Sequence, residues 1–98
     1  MTIVFSDSAK YDIADAVDFY DEQESGSGKY FYDSLLADVV RLQVSAGVHR
    51  KVKGKHRMIC SNHPFAVFYE VQEETVVIKA VFDCRRKPSW LTKKLRRR

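Results

Sequence analysis

FAVFYEV, residues 65–71, is the stretch whose reading decides the fold. It is rich in β-branched and aromatic residues and is bounded by Asn62-His63-Pro64 and Gln72-Glu73-Glu74, so it reads as a strand. Alternation along that strand sends Phe65, Val67, Tyr69 and Val71 to one face and Ala66, Phe68 and Glu70 to the other. The flanking runs, RMICS at 57–61 and TVVIKAVF at 75–82, have the same character. Three such runs joined by short polar connections form an antiparallel meander. A sheet with one apolar side needs a second layer to bury it.

The second layer lies upstream. TIVF at 2–5 is a short strand that stops at Ser6-Asp7-Ser8, any of which can cap a helix. Ala9, Ile13, Ala16, Val17 and Tyr20 then recur at the spacing of one helical stripe, with Asp12, Asp15 and Asp18 on the other faces. Asp21, Glu22 and Glu24 crowd the end of this helix, where acids oppose the dipole, so the end is expected to fray. Ser25-Gly26-Ser27-Gly28 reads as a break. From Lys29 to about Ala46, Phe31, Leu35, Val39 and Leu42 form one row and Tyr32, Leu36 and Val40 the adjoining row, with Gly47 placed to terminate the helix. A four-residue break folds the two helices into an antiparallel hairpin. The expected architecture is α+β: an N-terminal strand, an antiparallel helical hairpin packed on an antiparallel sheet completed by the meander, and a basic C-terminal tail with a short helix from Pro88. With 98 residues and no internal linker, residues 1–98 make a single domain.

Charge divides the chain. The first forty residues hold nine acids against Lys10 and Lys29, a formal −7, and residues 41–98 hold fifteen bases against four acids, a formal +11. The run HRKVKGKHR at 49–57 carries five of the bases around one glycine. A one-signed face steers polyanions toward itself, so nucleic acid or an acidic protein segment is the expected partner. The competing reading is that these bases solvate a strand edge and a frayed tail.

Several chemistries find no support. No apolar stretch reaches the ~18 residues of a membrane span, and MTIVFSDS lacks the parts of a signal peptide, so the cytosol is the expected compartment. Cys60 and Cys84 have no zinc-site spacing; if their strands flank a third they lie roughly 10 Å apart, too far for a disulfide, and free thiols are expected. Gly26-Ser27-Gly28 lacks the lysine and length of a P-loop. No metal or cofactor is expected. His49, His56 and His63 lie in or beside polar connections and read as solvated loop residues. Trp90, among bases after Pro88, either caps the core or contacts a partner.

HPFAVFYEV at 63–71 and VFDCRRKPSW at 81–90, following a helical hairpin, resemble the RelE/ParE superfamily, the toxins of bacterial type II toxin-antitoxin modules. The resemblance spans nearly the whole chain and is nearest to the ParE branch, through Pro64 to Tyr69 and then Arg85, Arg86, Pro88 and Trp90. Two departures stand out: Ser45-Ala46-Gly47-Val48 lacks the Asn-Pro common after the second helix, and Cys84 adjoins a position where His is frequent. The resemblance implies a cognate antitoxin as partner. RelE-type toxins cut messenger RNA on the ribosome, whereas ParE-type toxins are reported to inhibit DNA gyrase without a hydrolytic site of their own.

In-line RNA cleavage needs a base near the 2′-OH, a cation on the developing phosphate charge and an acid for the leaving oxygen. Where the RelE pattern places cations, this chain has Arg57 followed by Ile59 and Ala66. Arginine is protonated at physiological pH and makes a poor base. The expectation is therefore a gyrase inhibitor without catalytic residues. Arg57, Arg85, Arg86 and Trp90 are expected to face the target, and Lys51, Lys53 and Lys55 to supply electrostatic steering. A ribosome-dependent mRNA endonuclease, with ribosome and mRNA as partners, is the alternative.

Overall fold

The computed structural model describes all residues 1–98. Its elements run β1 (Thr2–Phe5), α1 (Asp7–Gln23), α2 (Ser27–Val40), a helical turn α3 (Leu42–Ser45), β2 (Lys51–Val52), β3 (Lys55–Ile59), β4 (Phe65–Gln72), β5 (Thr75–Asp83) and α4 (Pro88–Arg96). The strands form one five-stranded sheet in the order β1-β5-β4-β3-β2. The meander is antiparallel, while β1 pairs parallel to β5, with Thr2 opposite Thr75 and Phe5 opposite Ile78. The sheet is thus mixed, with β1 as its one parallel member.

Alternation on β4 feeds two cores. Phe65, Val67 and Tyr69 meet Ala9, Ile13 and Ala16 of α1 and Phe31, Leu35 and Val39 of α2. Ala66 and Phe68 meet Ala80, Phe82 and Leu95, with Trp90 and Leu91 beside them. The sheet is therefore covered on both faces, by the helical hairpin on one side and α4 on the other. On β5, Phe68 pairs with Ala80 but Tyr69 with Ile78, leaving Lys79 as an extra residue. This bulge switches parity, so Val76, Ile78 and Val81 reach the hairpin core while Ala80 and Phe82 reach the α4 core.

Two local readings change. Ser27 and Gly28 belong to the first turn of α2, and the Gly28 N–H donates to Asp21 Oδ1 at 2.8 Å. The acid at the end of α1 thus caps its neighbour, and α1 stays helical to Gln23. The basic run is not a plain connection. It folds as the β2–β3 hairpin around Lys53 and Gly54, whose φ values of 53° and 82° supply the two left-handed positions that a two-residue hairpin loop requires.

Candidate functional site

The residues expected to face a target sit mainly on the α4 side of the sheet. Arg57 pairs across the sheet with Phe68, which belongs to the α4 core, so Arg57 shares that face. Its Nε is buried without a hydrogen-bond partner. Trp90 is half-buried on α4, edge-on to Phe82 at 5.1 Å. The Arg86 guanidinium lies over its ring at 4.5 Å and the Lys94 ammonium at 5.6 Å. Trp90 therefore both caps the core and presents a cation-covered surface.

Arg85 is exposed but held. Its Nε and Nη2 donate to the Asp83 carboxylate at 3.0 and 2.7 Å, so two of the four expected residues, Arg86 and Trp90, stack directly and Arg85 stands beside them in its own ion pair. Hydrogen bonding from Arg85 holds the Asp83 carboxyl below the usual range, against the upward push of burial. A groove of ≈ 440 Å³ runs between α1 and α4, lined by Asp15, Phe19, Phe82, Arg86, Trp90 and Lys94 among others.

The three lysines do not form one face. Lys51 and Lys53 are exposed on the hairpin, whereas Lys55 is 8% exposed, which removes it from the steering set. Lys55 Nζ donates to the Leu95 carbonyl at 3.3 Å and lies 3.8 Å from Glu70, tying β3 to the end of α4. Register explains the split: Val52 and Lys55 are partners on the α4 face, and Lys51 partners His56 on the opposite one.

Each histidine has a structural contact instead of a solvated ring. His63 sits against Tyr20, Tyr30 and Phe31 at ring distances of 5.1, 5.2 and 5.0 Å. Burial lowers its pKa, against an opposing pull from Asp38. His49 Nδ1 lies 2.6 Å from the Tyr69 hydroxyl, and His56 Nδ1 donates to the His49 carbonyl at 2.6 Å while its ring stacks on Tyr69. All three belong to the helical-hairpin face, so the sheet separates them from Arg57, Arg86 and Trp90.

Sequence reasoning missed the Asp38 anchor. This carboxylate, 2% exposed on α2, accepts from the Ser61 N–H at 2.9 Å, the Ser61 hydroxyl at 2.7 Å and Arg41, and so fixes the loop that carries His63 and Pro64. Burial pushes its pKa up, but these hydrogen bonds together outweigh it and leave the group below the usual carboxylate range. The i,i+3 spacing from Asp38 to Arg41 is the one signal in the sequence; the pairing with Ser61, 23 residues away, leaves none. Cys60 and Cys84 are both free thiols. Burial, reinforced by Asp38 and Cys84, pushes the Cys60 thiol up to about 12 and keeps it unreactive. No group of three or more His, Cys, Asp or Glu is placed to hold a metal ion, and no helix is long and apolar enough to cross a membrane. A second, mostly apolar groove of ≈ 680 Å³ lies between α1 and α2, lined by Phe5, Ile13, Val17, Tyr32 and Leu36 together with Lys10, Lys29, Asp18 and Asp21.

The same arrangement of elements occurs in a solved structure. A chain of the chromosomal ParDE toxin-antitoxin system from P. aeruginosa superposes with a TM-score of 0.76 over 85% of this chain and 95% of that one, at 17% identity, a likeness of fold. No curated protein matches in sequence. The family model described as the ParE toxin of the type II toxin-antitoxin system parDE matches residues 3–88, from β1 through the meander to the start of α4. That span takes in the hairpin core, the sheet side of the α4 core, the motif strand β4 and the Arg85-Arg86 segment, and on it the chain belongs to the ParE toxin family of type II toxin-antitoxin systems.

Proposed function

We propose that this chain inhibits DNA gyrase by binding, without cleaving a bond, and is silenced by a cognate antitoxin. The observation that carries the reading is the separation of its chemical groups. The histidines lie on the helical-hairpin face, and Arg57, Arg86 and Trp90 on the α4 face. An in-line cleavage of RNA would need base and cation around one phosphate. Ile59, 54% exposed, and Ala66, 1% exposed, occupy positions where the RelE pattern carries charge. Arg57, Arg85, Arg86 and Trp90 form the target-facing set, and Lys51 and Lys53 steer. The apolar groove between α1 and α2 supports a folding-on-binding antitoxin segment, because its apolar floor suits the apolar face of an amphipathic helix, with Lys10, Lys29, Asp18 and Asp21 beside it to meet polar flanks of either sign.

The test is a paired assay of the purified chain. Gyrase supercoiling should be lost in its presence and recovered when Arg85 and Arg86 are both replaced by Ala, with a shift in half-inhibitory concentration of about tenfold or more, and ribosome-bound mRNA should stay intact. Removal of one cation from a cleaved phosphate typically costs ~10²-fold in rate. Message cleavage in the ribosomal A site by the wild type, abolished by the same substitutions, would replace this reading with the endonuclease.

A further inference from the structure

The base of the basic hairpin is fastened by one buried hydroxyl. Tyr69 is 0% exposed, and its hydroxyl oxygen accepts from the Gly47 N–H at 3.0 Å. The phenol proton is then free to point at His49 Nδ1, 2.6 Å away. All three groups are satisfied when His49 is neutral, with Nδ1 bare and the proton on Nε2. The backbone of the same histidine takes the other tie, because its carbonyl accepts from His56 Nδ1–H, and the next carbonyl, Arg50, accepts from the Arg57 N–H at 2.9 Å. One ring and two successive carbonyls thus join the start of β2 to β3 and β4.

We propose that Tyr69 and His49 are positioning residues for the basic hairpin, holding Lys51 and Lys53 in place while His49 is neutral and releasing them when it is protonated. A proton on Nδ1 would turn that nitrogen into a donor. The Tyr69 hydroxyl would then face two donors, the Gly47 N–H and the imidazolium, and its own proton would be buried without an acceptor, a costly arrangement. The groups around the ring add no compensating acid: β3 brings His56, β4 brings the Tyr69 phenol, Arg50 and Lys51 flank it in the chain, and Leu42-Gln43-Val44-Ser45 of α3 carries no ionisable side chain.

Burial, and then the charge of His56, lower the His49 pKa. A histidine whose folded pKa is depressed stabilises the fold above its unfolded pKa of about 6.5, and that contribution is lost as pH falls through the folded value. The hairpin should therefore loosen in mildly acid solution. The role of the lysines rests on the gyrase reading above; the fastening does not, so it is tested on the toxin alone.

Native-state hydrogen exchange of the Arg57 amide, corrected for its intrinsic pH dependence, reads the fastening. Opening should rise about tenfold between pH 7.5 and 5.5 relative to Val67 at the centre of β4, since one linked proton supplies at most tenfold per pH unit. His49→Asn should remove the rise, because the Asn side-chain oxygen can stand where Nδ1 stands and accept from Tyr69 without titrating. His63→Asn, at the other depressed histidine, should leave it in place. A rise that is absent in the wild type, persists in His49→Asn, or disappears with His63→Asn overturns the proposal. Should His49→Asn not fold, nitrogen-15 shifts of the wild-type imidazole decide: a proton on Nδ1 at pH 7.5 overturns the fastening, and a bare Nδ1 that gains its proton as the Arg57 amide opens upholds it.

Discussion

Lys55 shows how one charge can hold two layers of a small fold together. Its ammonium satisfies a carbonyl at the C-terminal end of α4, where a cation is favoured by the helix dipole, and it lies 3.8 Å from the half-buried Glu70. Lys55 stands on the α4 face of β3, opposite Val52, which packs against the α4 core. Lys55→Gln should cost about 1–3 kcal/mol, the range for losing a hydrogen bond to a charged group, read as a lower urea midpoint at unchanged slope. Lys51→Gln and Lys53→Gln, at exposed positions, should leave the midpoint in place. Equal midpoints for all three would mean that the Lys55 ammonium is free in solution and that the three lysines act as one surface set. Tyr69 makes a similar point without charge: its ring fits the alternation of β4, but its hydroxyl joins Gly47 and His49, which are 22 and 20 residues away.

At the scale of elements, the contact between α1 and α2 depends on a residue with no side chain. A Cβ built at Gly28 would lie 2.6 Å from the Val17 carbonyl oxygen and 2.7 Å from the Asp21 carboxyl carbon, and the former is backbone that cannot turn aside. Gly28→Ala should therefore destabilise by roughly 2 kcal/mol or more through forced separation of the two helices, despite alanine being the better helix former. A neutral or stabilising Gly28→Ala in thermal unfolding would show that the helices are not in this register. The same region explains what sequence could and could not reveal. Stripes at three- and four-residue spacing in 9–20 and 31–42 marked both helices and the faces they bury, and the alternation of FAVFYEV marked the two faces of β4. Gly28 looked like part of a flexible link because close approach between helices leaves no pattern in one sequence. The β2–β3 hairpin was hidden for a related reason: Lys53 occupies a left-handed position that Asn or Gly usually fills, and its five bases read as a charged connection. The sequence placed Arg86 and Trp90 in one motif and the structure stacks them, while the burial of Lys55 depended on which side of β3 faces α4, a matter of register that starts at an unrecognised turn.

Across the whole molecule, the acidic and basic halves of the chain meet at two carboxylates, Asp38 beside Arg41 and Ser61 and Asp12 beside Arg98, and the second is a clasp between α1 and the end of the chain. Beyond Ile78, β5 is paired with β4 on one side but has no strand on the other, because β1 covers only Thr75 to Ile78. Asp12 of α1 accepts from the Val81 N–H on this open edge at 3.0 Å, and Arg98 donates to both Asp12 oxygens at 2.6 and 3.1 Å and to the Lys79 carbonyl at 3.1 Å. Both side chains are mostly buried, at 16% and 14% exposure, and each has further hydrogen bonds, the condition under which a desolvated ion pair is tolerated. The clasp fastens α1 to the end of α4 across the sheet and closes an edge that would otherwise invite pairing with another chain. Removing one partner leaves the other charge buried and unpaired. Arg98→Ala should cost about 2–4 kcal/mol, and Asp12→Ala more, because it also strips Val81 of its acceptor. The double substitution should cost less than the sum by about 1–3 kcal/mol, the coupling expected for contacting groups in one network. Trp90 is the only tryptophan and sits on α4, so its fluorescence in urea reports the helix that the clasp holds. Additive losses would mean that Arg98 and Asp12 do not meet in solution, and α4 would then be held by Leu95, Trp90 and Lys55 alone.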